Sequence, residues 1–154
     1  MLRLEYGAAL WALIFAFLHI AWAMGWYIGL DEEMARQAFA SGWFLAYNLI
    51  AAFLCVMATV LALSLVRARR SGRLSLILGA LAWGCAGVLV LRAAAAVVKA
   101  IYLLAHGEIA AAFLPFWDWW FCLGALLFAA SAWRFWRSRL DSAGGSVIDS
   151  DDKK

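Results

Sequence analysis

Residues 74–105 read LSLILGALAWGCAGVLVLRAAAAVVKAIYLLA, and this run decides the fold. It has no proline and no charge other than Arg92 and Lys99, and it is apolar around most of its circumference. A helix needs about 20 residues, at ~1.5 Å each, to cross the hydrocarbon core of a bilayer. The run is longer than one crossing requires and must tilt or protrude.

Working outward, three more apolar stretches of spanning length flank it, near residues 7–30, 43–66 and 113–133. Of the 154 residues, 68% are hydrophobic and 15% charged, more apolar surface than a soluble domain of this size can bury. Ten Trp and one Pro suit helices anchored by indoles at the headgroup level, and Pro115 suits the first turn of the last helix. The expectation is an all-α integral membrane four-helix bundle over residues 1–140, followed by a Gly/Ser-rich, disordered cytoplasmic tail at 141–154. Between the first two spans, residues 31–42 predict a short extracytoplasmic surface helix, with Asp31 as its cap and Gly42 as its end.

Orientation follows from Lys and Arg in the short loops. Arg67, Arg69, Arg70 and Arg73 crowd the middle loop, Arg134, Arg137 and Arg139 follow the last span, and Arg3 precedes the first. The other two loops hold Arg36 among Asp31, Glu32, Glu33 and Glu108. Both termini are therefore read as cytoplasmic, in a multi-pass bacterial inner-membrane protein. A rival reading takes Ala21-Trp22-Ala23 as a signal-peptidase site. The long apolar run, the single basic residue offset by Glu5 and the bulky Trp22 speak against it.

Counting from the cytoplasmic arginines compares depth. His19 lies 16 positions from Arg3, Asn48 19 from Arg67, Arg92 19 from Arg73 and Asp118 16 from Arg134. At ~1.5 Å per residue these four polar groups, one per span, share a height of roughly 24–28 Å. Arg92 carries the strongest signal, since an arginine at mid-span costs about 2.5–3.5 kcal/mol on insertion scales. Asp118 is the acid at matching height. Lys99 stands two turns further out on the face of Arg92, near enough to the surface to snorkel. The pair can serve only to hold helices in register, or it can be part of a site. His19 can be a plain interior histidine, and Asn48 interhelical glue.

Trp22 and Trp26 follow His19 at helical spacing, and Trp117, Trp119 and Trp120 bracket Asp118. They read as an interfacial belt or as walls of an aromatic pocket. The candidate ligand-binding set is His19, Trp22, Asn48, Arg92, Lys99, Trp117 and Asp118. Cys55, Cys85 and Cys122 each lie 12 positions from Arg67, Arg73 and Arg134. A soft-metal site of converging thiols is conceivable, but buried cysteines usually behave as small hydrophobes. Gly25-x-x-x-Gly29 and the Ala80, Gly84, Gly87 stripe predict close helix approach, within the bundle or to a second copy.

His19 and His106 are too far apart in depth for axial haem ligation, there is no C-x-x-C, and hydrolase and phosphate-loop motifs are absent. Nothing positions a nucleophile, so the chain is not read as an enzyme, and no cofactor is implied. With most basic residues at helix ends and only Arg92 and Lys99 within a span, there is no footprint for nucleic acid. The bilayer is the partner composition demands.

Three segments carry a family resemblance: Leu18-His19-Ile20-Ala21-Trp22-Ala23-Met24-Gly25, Val90-Leu91-Arg92, and Trp117-Asp118-Trp119-Trp120-Phe121-Cys122-Leu123-Gly124. Together they resemble a bacterial four-span membrane family known as the domain of unknown function numbered 3995, over nearly the whole chain except the tail. Trp26 and Trp119 depart from the family pattern, standing where a second glycine and a proline are expected. The resemblance implies that His19, Trp22, Arg92, Trp117 and Asp118 are the residues to test, and it implies no activity. The expected function is the binding of a small anionic or amphiphilic ligand in the polar layer of the outer half. The alternatives are an accessory subunit of a larger membrane transporter or enzyme complex, and a redox or metal-binding protein using His19 and the thiols.

Overall fold

The computed structural model describes residues 4–26, 28–29, 32–40, 42–68, 73–107 and 116–151; of the side chains of 32, 34–35, 116–117 and 142–151 nothing is described. Among these residues the chain is all helical: α1 Leu4–Ala23, α2 Glu32–Phe39, α3 Gly42–Arg67, α4 Arg73–Ala105 and α5 Phe116–Asp151. Three of them, α1, α3 and α4, are long and apolar enough to cross a membrane, which marks a membrane protein. The fourth expected span, residues 113–133, begins with residues outside the described set, Pro115 among them. Its tryptophans and Asp118 also make it less apolar than the other three.

The helices form two closely packed pairs, α1 with α3 and α4 with α5, joined along α1 and α5 and more loosely along α3 and α4. Half of the apolar window of α1 is buried, against 17% in α3 and 22% in α4, so α1 is the most enclosed of these three. Ala8, Ala12, Phe15, His19 and Trp22 recur every three or four residues on its buried side. The main core joins Ala8, Ala12, Phe15 and Trp22 to Ala62, Ala86, Leu89, Ala125 and Phe128. Small residues dominate the contacts because, without water to squeeze out, helices in lipid associate by close van der Waals packing. A second cluster of Leu65, Ala82, Ala132 and Phe135 closes the arginine-rich end.

The first span is shorter than its hydropathy suggests. The sequence carries apolar character to Leu30, but α1 ends at Ala23. Gly25 takes φ +85°, the N–H of Trp26 donates to the carbonyl of Ala21 at 2.9 Å, and that of Gly25 to Trp22 at 3.0 Å. This is the Schellman closure, which uses a left-handed residue that glycine adopts without strain. Gly29 (φ +70°) is in the turn as well. The Gly25-x-x-x-Gly29 spacing is therefore turn geometry and not a helix-packing seam, and Trp26 lies beyond the end of the helix. The chain after the turn is tied back by the Trp22 indole, whose Nε1–H donates to the carbonyl of Ile28 at 2.9 Å.

A short helix, α2, follows the turn and is joined to α3 by the Phe39 and Phe44 rings at 4.7 Å. Its expected cap, Asp31, lies outside the described residues. Gly42 opens α3 and does not close α2, which ends at Phe39. At the other end of the chain, α5 continues to Asp151, past the start of the polar tail at 141.

Candidate functional site

His19, Asn48, Arg92 and Asp118 meet as two separate couples. On the α1/α3 pair, Nδ1 of His19 and Oδ1 of Asn48 are 2.8 Å apart, and both side chains are buried. Nδ2 of Asn48 donates to the carbonyl of Phe44 at 2.8 Å, one turn back, which orients the amide. Its oxygen therefore faces the ring, so the neutral histidine carries its proton on Nδ1, and Nε2 is the lone-pair nitrogen. Phe15, Trp22 and Tyr47 surround the imidazole, with centroids at 4.7, 4.9 and 5.9 Å, all edge-on.

On the α4/α5 pair, Nη2 of Arg92 donates to Oδ1 of Asp118 at 2.9 Å. The pair is asymmetric, with 45% of the Arg92 side chain exposed and only 7% of Asp118. The guanidinium also lies over the Phe121 ring, 4.5 Å from its centroid. Asp118 stands in the first turn of α5, where backbone N–H groups and the helix dipole favour a carboxylate. The buried acid thus fixes one edge of the arginine, and the ring supports its face.

Between the couples stands an aromatic wall. The Phe15 ring, beside His19, meets Phe121 at 5.1 Å, and Phe121 in turn underlies Arg92. The expected single layer of four converging polar groups is thus two layers back to back across phenylalanines. Phenylalanine one turn before His19, and at three positions after Asp118, was the available signal in the sequence.

Of the other candidates, Trp22 adjoins His19 but spends its N–H on the chain turn. Lys99 is exposed on α4, beyond Arg92. Trp117 falls in the first turn of α5, and its side chain lies outside the described residues. The three cysteines are free and half-buried, and Cys55 and Cys85 pack against the main core. Among the described residues no group of three or more His, Cys, Asp or Glu is placed to hold a metal ion.

Sequence reasoning passed over a polar crevice at the opposite end. Glu5, Arg134, Arg137, Ser138 and Asp141 line a cavity of about 250 Å³ together with Leu65, Trp133 and Phe135. In the sequence, Arg134 and Arg137 mark orientation alone, because nothing local links them to Glu5. No family model, no curated protein and no solved structure matches the chain.

Proposed function

We propose that this is a multi-pass inner-membrane protein with four crossings and both termini in the cytoplasm, and that it holds the acidic group of a small anionic or amphiphilic ligand at its outer half. No catalytic step belongs to this reading. The observation that carries it is the state of Arg92. Inside an apolar helix, the guanidinium has one edge on Asp118 and one face on Phe121, yet nearly half of the side chain is exposed. A guanidinium presents five donors, and a carboxylate or phosphate oxyanion satisfies them where lipid tails cannot. Lys99, exposed further out on α4, adds a second positive charge on the route from the outer surface. His19 and Asn48, buried and bonded to each other, brace α1 against α3 behind the aromatic wall. Of these residues, the family resemblance points to His19, Arg92 and Asp118.

The test compares dodecyl phosphate with the uncharged dodecyl maltoside as probes of the purified full-length protein, by native mass spectrometry. The parent is expected to retain dodecyl phosphate, and Arg92→Gln to retain it about tenfold less, the value of one charge-assisted hydrogen bond. A folded Arg92→Gln protein with undiminished retention would overturn the reading.

The accessory-subunit reading draws on one observation. A Cβ added at Gly84 or Gly87 on α4 would meet nothing within 4 Å, so the small face there is open and a helix of another chain could approach it closely. Purification in mild detergent as a lone chain would count against it.

A further inference from the structure

We propose that the crevice at the arginine-rich end binds the headgroup of an ammonium-bearing, zwitterionic phospholipid. This site is separate from Arg92 and lies, on the orientation proposed above, in the inner leaflet. The cavity of about 250 Å³ is large enough for a polar group of several heavy atoms. Its lining has a distinctive balance of two guanidinium groups, Arg134 and Arg137, two carboxylates, Glu5 and Asp141, and the Ser138 hydroxyl. A purely anionic ligand would meet the arginines but be repelled by both acids. A ligand carrying a phosphate and an ammonium within a few bonds satisfies both signs at once.

A second observation favours an occupant that donates hydrogen bonds. Oε2 of Glu5 is buried with no hydrogen-bond partner among the described residues. A buried carboxylate oxygen left in that state is costly, and an N–H donor that meets it on rotation of the Glu5 carboxylate toward the crevice relieves it. A primary ammonium supplies such donors, whereas a quaternary ammonium has none. The lipid source of the group follows from the other walls. Leu65 and Phe135 belong to the apolar cluster at the end of the bundle, and Trp133 is 58% exposed just before Arg134, the position of an indole at the headgroup level. Acyl chains attached to a headgroup in the crevice can run along this apolar flank.

The experiment is native mass spectrometry of the full-length protein after exchange into nanodiscs of equal parts phosphatidylethanolamine, phosphatidylcholine and phosphatidylglycerol. Phosphatidylethanolamine is expected to be retained about tenfold over each of the others. Phosphatidylcholine carries no N–H, and phosphatidylglycerol carries no cation. Glu5→Gln is expected to abolish the preference over phosphatidylglycerol, and Arg134→Gln with Arg137→Gln to abolish retention of all three. Free phosphoethanolamine is expected not to displace the lipid. Equal retention of the three lipids by the parent, which needs no variant to fold, would overturn the proposal. So would an unchanged preference in folded Glu5→Gln, or displacement by the free headgroup. Arg92→Gln should leave this lipid preference as it is in the parent, so the two sites fail or stand separately.

Discussion

At Gly124 a single hydrogen stands where any other residue would carry a carbon. The position is buried on α5, and a Cβ built there would overlap the indole of Trp11. That indole cannot easily swing away. Its Nε1–H donates to the carbonyl of Trp120 at 2.9 Å, and it stacks on the Trp120 ring with centroids 6.1 Å apart. Gly124→Ala is therefore expected to destabilise the protein by about 1–3 kcal/mol, as overpacking of a tight interior does. Gly87→Ala, on the open face of α4, should instead raise stability by up to about 1 kcal/mol, since alanine is the better helix former. Thermal unfolding of both variants in one detergent measures the contrast, and equal effects would show that Trp11 is not held as described. In the sequence both are glycines within apolar runs, and nothing in their neighbours tells them apart.

At the scale of elements, the four polar residues act as two interhelical clasps. Asn48 ties α3 to α1 through His19, and Asp118 ties α5 to α4 through Arg92. Asn48→Leu should cost about 0.6–2 kcal/mol, the range of interhelical hydrogen bonds in membranes. Asp118→Asn should cost about 1.5–3 kcal/mol, since it removes the charged acceptor of a guanidinium. Because the couples share no hydrogen-bond partner and phenylalanines stand between them, the double variant should add to within about 0.5 kcal/mol. A larger coupling energy in this cycle would mean that the polar groups form one network. That His19 matches Asn48 in depth, and Arg92 matches Asp118, was readable by counting from the arginines, because rise per residue is constant along a helix. Which residue bonds which was not, because that depends on how each helix is rotated about its axis.

At the scale of the molecule, the charged residues divide between two ends. Arg67, Arg73 and Arg134 stand at one, Lys99 and His106 toward the other. Side-specific labelling checks the proposed topology. In a chain with Cys55, Cys85 and Cys122 changed to alanine, His106→Cys should react with a membrane-impermeant maleimide in intact cells. Leu140→Cys should react only after permeabilisation; both positions are exposed. Reaction of both from one side would mean that α5 does not cross, and the reverse pattern would invert the orientation.

The amino-acid sequence alone determined that the chain is helical and destined for lipid, because length and apolarity are properties of a linear run. It also brought Arg92 and Asp118 to one height. The three-dimensional packing decided the rest: that α1 stops at Ala23, where a left-handed glycine closes a turn hydropathy cannot register, and that Arg92 remains half open while Asp118 is covered. It also decided that Glu5, at one end of the chain, faces a cavity shared with Arg134 and Arg137 near the other. Contacts of this kind depend on which faces of distant helices meet, and no local pattern of residues encodes that.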